Sequence, residues 1–212
     1  MEVQVKEGAY RRDSYAPLER FIAYHAQLEL VRETRAATIL FIGIGDGMVP
    51  DFLKKDPRYQ VTTFDFDARL APDVVGDIRA LPFPDRSFDL VCAFEVLEHI
   101  PFDDAKGALA EIARVARAAA VSLPHRQTGF DVALKFPFIR SLTGRNLLAF
   151  SLLVPVRFPG FAVSGQHYWE IDWWTTSIRA VRAAMRCHFT IEREFTPPLD
   201  QYHRFFLLAA KL

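Results

Sequence analysis

Apolar positions along the first third of the chain change period three times. Between Leu18 and Val31 they recur at intervals of three and four (Leu18, Phe21, Ile22, Leu28, Val31, with His25 on the same side), which predicts an amphipathic helix. Thr38 to Ile42 is a nearly unbroken apolar run, Asp46 to Lys55 returns to helical spacing, and Gln60 to Phe64 is again strand-like. A turn-rich stretch, "DARLAPDVVGDIRALPFPDRS", leads to a strand-like Phe88 to Phe94, a helix-like Asp103 to Val115 and a strand-like Ala119 to Leu123. Strands this apolar have no polar face, so their alternation with helices predicts a parallel sheet covered on both sides. The rhythm then changes. A helix-like Trp173 to Met185 is followed by strand-like runs at His188 to Phe195 and Arg204 to Leu212, joined by "TPPLDQYH", whose prolines suit an antiparallel connection.

Between Pro124 and His167 lies an apolar insertion with scattered arginines and several glycine and proline breaks. Within it, Ile139 to Val154 reads as an amphipathic helix with Arg140 and Arg145 near its start. An insertion of this kind acts as a cap over a site. Its apolar stripe packs on the sheet edge or a second subunit, or else meets a lipid-like substrate or membrane surface through residues 136–160. The chain thus divides into an N-terminal helical lid (1–36), a core (37–124), a cap (125–170) and a C-terminal helix and hairpin (171–212), one domain in all.

Composition narrows the function classes. Lysine plus arginine and aspartate plus glutamate both total 26, so there is no basic footprint for nucleic acid. The two cysteines, Cys92 and Cys187, make neither a disulfide framework nor a metal-ligand spacing, which points to a reducing, cytoplasmic setting and no metal site. No stretch reaches the roughly 18 apolar residues of a membrane span, and the first 20 residues lack the pattern of a secretory signal.

Candidate chemistry begins at "ILFIGIGDGM", residues 39–48, where a strand breaks into glycines at 43, 45 and 47. At the C-terminal end of a parallel strand a loop entering a helix presents free backbone N–H groups, and glycine lets a ligand approach where a Cβ would collide. The dinucleotide fingerprint G-x-G-x-x-G needs its third glycine where Met48 stands, so the fit to it is poor. An acidic residue about 20 positions on, at the end of the second strand, accepts hydrogen bonds from ribose hydroxyls in nucleotide-binding folds. Asp65 holds that place, with Asp67 as its alternate.

Taken together, "TILFIGIGDG", "VTTFDFD", "VVGDIRALPFPDRSFDLVCAFEVLEHI" and "EIARVARAAAVSLP" resemble class I S-adenosylmethionine-dependent methyltransferases, most closely the type 11 group that includes quinone-biosynthesis enzymes. The resemblance runs from about Thr38 to Pro124 and is specific as a set. It implies a Rossmann-like, doubly wound α/β fold: a seven-stranded sheet, mostly parallel, with an antiparallel C-terminal strand. It also implies S-adenosylmethionine as cofactor and a small-molecule acceptor. Gly43, Gly45 and Gly47 would line its methionine and ribose portion, Asp65 would hold the ribose, and Asp77 with the Ile78 backbone would meet the adenine amino edge. Phe94 and Glu95 would sit beside the reacting methyl. One departure is that the family usually carries an acid two positions before the first loop glycine, where this chain has Phe41. Asp46 or Glu95 offers a replacement charge.

Methyl transfer from a sulfonium needs alignment and exclusion of water, and a base only when the acceptor arrives protonated. His125 and His167 bracket the insertion where an acceptor should bind and are the candidate catalytic residues; His99, in "LEH", belongs to the shared pattern and supports the loop. In "QHYWEIDWW", Tyr168 and Trp169 are candidates for the substrate pocket, while Asp172 caps the following helix and Trp173 and Trp174 pack on the sheet. Two other readings stay open: a catalytically silent S-adenosylmethionine-binding partner subunit, motivated by Phe41, and an NAD(P)-dependent oxidoreductase, disfavoured by Met48.

Overall fold

The structure, a computed structural model, describes residues 17–125, 129–135, 147–153, 167–172 and 176–211. Its main sheet has strands β1 (Thr38–Ile42), β2 (Gln60–Asp65), β3 (Val74–Val75), β4 (Phe88–Phe94), β5 (Ala116–Pro124), β8 (Phe189–Phe195) and β9 (His203–Ala210). Their order is β3-β2-β1-β4-β5-β9-β8. β1 to β5 run parallel, and β9 lies antiparallel between β5 and β8, as the Rossmann-like expectation has it.

Both faces of the sheet are buried, and the period of two along each strand divides its side chains between two cores. Ile39 and Phe41 of β1 with Leu90, Cys92 and Phe94 of β4 face helices α1 (Leu18–Thr34) and α2 (Met48–Lys54). Leu40, Ile42, Val91 and Ala93 point the other way, toward α3 (Phe102–Val115) and α4 (Ile178–His188). α3 buries Ala105, Ala108, Leu109, Ile112 and Val115, a stripe at helical spacing.

Three expectations shift. α4 begins at Ile178 rather than Trp173, because Ser177 is its N-cap and accepts from the Ala180 N–H at 3.2 Å. Asp172 adds a second acceptor for the Ile178 N–H at 3.0 Å, whereas Trp173 and Trp174 lie outside the described residues. β3 went unread since its two residues sit between Pro72 and Gly76, too short for a periodic signal. The third is a correction: Leu147–Leu153, placed in a helix over 139–154, forms strand β7, paired antiparallel with β6 (Gly129–Lys135) in a separate two-stranded sheet. "LLAFSLL" is apolar apart from Ser151, so periodicity cannot tell strand from helix there, whereas the sequence of its partner β6 alternates in the manner of a strand. The rest of the 136–160 segment lies outside the described residues. No helix among the described residues is long and apolar enough to cross a membrane.

Candidate functional site

The loop after β1 turns because all three glycines adopt positive φ: 79° at Gly43, 60° at Gly45 and 81° at Gly47. Gly43 carries the tightest constraint, since a Cβ there would collide with Val96 Cγ2 as well as strain the backbone. Gly47 closes the loop as the N-cap of α2. Asp65, at the end of β2, fastens this loop to the next: its Oδ2 accepts from the Ile44 N–H and its Oδ1 from the Asp67 N–H, both at 2.9 Å. Burial raises the Asp65 pKa in spite of those two bonds, with the Asp67 charge adding to it. Asp67 is held by Arg69, with its pKa lowered, and caps the turn at 68–70.

These loops open onto a cavity of about 390 Å³ at the C-terminal ends of β1, β2 and β4. Gly43, Gly45, Asp65, Ile78, Phe94 and Glu95 line it, and Arg20, Tyr24 and Gln27 of α1 cover one side. Phe41 also lines it, 2% exposed and packed against the Phe94 ring at 5.8 Å between centroids. Asp46 lies in the same wall, its Oδ2 accepting the Tyr24 hydroxyl at 2.6 Å. Asp77 sits between two lining residues without reaching the wall, its carboxylate gripped by the Arg79 guanidinium. Gly47, likewise, is set back from the wall.

The far end of the cavity gathers titratable groups. Glu95 has φ of 54°, a strained value for a side-chain-bearing residue, and its Oε1 accepts the Ser122 hydroxyl at 2.8 Å. The segment 167–172 is pinned beside it by three bonds: Tyr168 N–H to Glu98 O at 2.8 Å, Trp169 Nε1–H to Ile100 O at 3.0 Å and Ile171 N–H to Pro124 O at 2.9 Å. This brings His167 against His99, with ring centroids 5.0 Å apart, both in the cavity wall. His167 Nδ1 meets Glu170 Oε1 at 2.9 Å, and the Tyr202 hydroxyl donates to the same oxygen at 3.0 Å. Burial, with the charges of Glu95 and Glu170 beside it, drives the Glu98 pKa well up. For His203, burial pulls the pKa down, but Glu95 and Asp200 together outweigh it and the net shift is upward.

A family model described as a methyltransferase domain matches residues 40–123, the segment that builds the glycine loop, Asp65 and the "EVLEH" strand end. The match spans less than half of the chain and marks a methyltransferase-like segment there. No curated protein matches the sequence, but solved structures share the fold. A protein from Pyrococcus horikoshii OT3 has a TM-score of 0.58 at 16% identity, covering 98% of this chain and 100% of that one. The N-methyltransferase NodS from Bradyrhizobium japonicum WM9, in complex with S-adenosylhomocysteine, has a TM-score of 0.60 at 12% identity, covering 98% and 94%. Magnesium protoporphyrin IX methyltransferase from Synechocystis PCC 6803 has 0.55 at 14% identity, covering 95% and 91%. At such identities the likeness is one of fold.

The structure brings together only some of the side chains singled out in the sequence. His167 faces the cavity, while His125 lies off it, with Nε2 on Asp172 Oδ2 at 2.9 Å, Nδ1 near Arg204 Nη1 at 3.4 Å, and a pKa lowered by burial. Trp169 is core rather than pocket wall, 5% exposed with its ring edge-on to Phe102, and Tyr168 is 62% exposed. Sequence reasoning missed Tyr24, Glu98 and His203. A buried glutamate inside "LEH" was the one signal available, since nothing in "QYHRF" marks His203 as facing a site 108 residues back at Glu95.

Proposed function

We propose that the protein is a methyltransferase that moves the sulfonium methyl of S-adenosylmethionine to a small, apolar or lipid-linked acceptor carrying a protonated heteroatom. The observation that carries this reading is that one cavity holds both the glycine loop with Asp65 and, at its other end, the His99–His167 wall. Asp65 accepts the ribose hydroxyls, for which a carboxylate is suited as an acceptor-only group. Gly43 and Gly45 admit the ribose and methionine, with Gly47 setting the loop's exit, and the Ile78 backbone meets the adenine. Asp77 acts there through its position beside Ile78, its charge being met by Arg79. Asp46, steadied by Tyr24, supplies the charge for the cofactor's amino group that Phe41 does not.

The methyl then lies near Phe94 and Glu95. An acceptor lone pair forms the new bond to carbon as the carbon–sulfur bond breaks, its electron pair returning to sulfur, and the acceptor's proton leaves toward the His167–Glu170 pair. His125 positions the cap segment through Asp172, and Tyr168 and Trp169 shape the entrance from behind His167. The cap over 125–170 supplies the apolar surface for the acceptor, and a peripheral membrane contact through 136–160 suits a lipid-linked one.

Calorimetry tests the reading. S-adenosylhomocysteine should bind at micromolar concentration and NADH should not; binding of NADH alone would return the chain to the oxidoreductase reading. Release of label from methyl-tritiated S-adenosylmethionine across a panel of phenols, amines and prenylated quinols then separates an active enzyme from a silent cofactor-binding subunit.

A further inference from the structure

Glu98 is fully buried at 0% exposure, and neither of its carboxylate oxygens has a hydrogen-bond donor among the described residues. An uncompensated buried carboxylate is costly, and this one stands with two others, Glu95 and Glu170, around it. Its ligand atom lies within 4.8 Å of ligand atoms of His99 and His167, all three within that distance of one another. The two imidazoles come from segments 68 residues apart in sequence, which is why no ligand spacing is visible in the chain.

Resting on the methyltransferase reading above, we propose that Glu98, His99 and His167 hold a divalent cation at the acceptor end of the cavity. One carboxylate and two imidazoles suit a first-row ion such as Mn²⁺, Co²⁺ or Zn²⁺ better than the all-oxygen shells of Ca²⁺ or Mg²⁺. The surroundings are those of a ligand set. Glu170 fixes the His167 ring through Nδ1, leaving Nε2 to offer, and Tyr202 in turn orients Glu170. His99 and His167 line the cavity, so an ion that they hold is within reach of an acceptor. There it would bind the acceptor's hydroxyl oxygen and lower its pKa, so that with the ion in place the proton passes to solvent rather than to His167, whose ring nitrogens are then taken by Glu170 and the ion, before the oxygen attacks the methyl. The acceptor class narrows accordingly to hydroxyl compounds.

The test uses untagged, chelator-stripped protein titrated with Mn²⁺ and Zn²⁺ by equilibrium dialysis with metal quantification, and separately with S-adenosylhomocysteine. One ion per chain is expected at micromolar concentration, weakened about tenfold or more in Glu98→Gln and in His167→Ala and unchanged in Asp103→Asn, whose side chain is 90% exposed. Less than one ion per chain, or equal binding in both variants, overturns the proposal. Should either variant fail to fold, Mn²⁺ broadening of imidazole NMR signals in the wild type decides: loss of His99 and His167 with His25 and His188 sharp supports the site, and the reverse pattern overturns it. S-adenosylhomocysteine binding to the stripped protein keeps the two readings apart, for it survives if only the cation site is wrong and fails if the cofactor assignment is wrong.

Discussion

The two ends of the parallel strands treat carboxylates in opposite ways. At the N-terminal end, Asp89 Oδ2 accepts from the Ala37 N–H, the Thr38 N–H and the Thr38 hydroxyl at 3.0, 3.0 and 2.9 Å. Glu111 similarly takes the Leu81 N–H and the Arg114 guanidinium. Both pKa values are lowered, Asp89 chiefly by the backbone donors and Glu111 chiefly by Arg114. At the C-terminal end, Asp65 and Glu98 are more deeply buried and their pKa values are raised. At one end donors outweigh burial, whereas at the other burial outweighs the two donors of Asp65 and Glu98 has none among the described residues, and carboxylates perturbed in this way beside a cleft are where function concentrates.

The sharpest way to break this contrast is Asp65→Asn. The amide keeps the size but loses the charge and one acceptor, so two charge-assisted bonds to the ribose weaken. At roughly 1.5–3 kcal/mol for a hydrogen bond to a charged group, S-adenosylhomocysteine affinity should fall about 100-fold. Calorimetry on folded protein measures this, and an unchanged affinity would remove the ribose assignment.

Asp89→Ala is the counterpart at the other end. It strands three donors at the start of β1, so unfolding free energy should drop by about 2–3 kcal/mol while the folded fraction binds S-adenosylhomocysteine as before. A loss of affinity without a loss of stability would erase the distinction. The two sites should also differ in the sign of their pH dependence. The Asp89 pKa is lower in the folded state than unfolded, so its stabilisation is present above the ordinary aspartate value and disappears as pH falls through the folded one. That of Asp65 is higher when folded, so its penalty is absent below the ordinary value and grows as pH rises through the folded one. Denaturant midpoints between pH 3 and 8, each variant subtracted from wild type, should therefore slope in opposite directions for Asp65→Asn and Asp89→Asn.

The parallel strands were legible because both of their faces are buried, which leaves an apolar run that no amphipathic helix produces. The glycine loop was legible because positive φ leaves a mark in residue type at 43, 45 and 47. What failed was of two kinds. β7 failed locally, its seven residues, all apolar but Ser151, carrying no period that separates strand from helix. The acceptor end failed globally: Glu98, His167, Tyr202 and His203 meet only because 167–172 lies across the end of β5 and the β8–β9 connection returns beside it, pairings set by tertiary hydrogen bonds such as His125 N–H to Tyr202 O at 2.7 Å. Trp169 misled for a related reason, since an indole beside polar residues reads as a pocket wall until its N–H is seen satisfied by Ile100 O.

The smallest expected effect tests whether α1 belongs to the ligand-facing end. Tyr24 is buried at 8% exposure and reaches from α1 into the glycine loop, its hydroxyl on Asp46. Tyr24→Phe keeps the ring and its edge-on packing with Phe21 while removing one hydrogen bond. A bond of this kind contributes about 0.5–1.5 kcal/mol net, so affinity for S-adenosylhomocysteine should fall roughly three- to tenfold, with little change in melting temperature. Thr38→Val, which at the opposite end removes one donor to the Asp89 carboxylate and the acceptor of the Asp89 N–H, should show the reverse: a stability loss of about 1–2 kcal/mol and no change in affinity. If Tyr24→Phe lowers stability and spares affinity, α1 is scaffold like the strand starts, and the cofactor's amino group is met without Asp46.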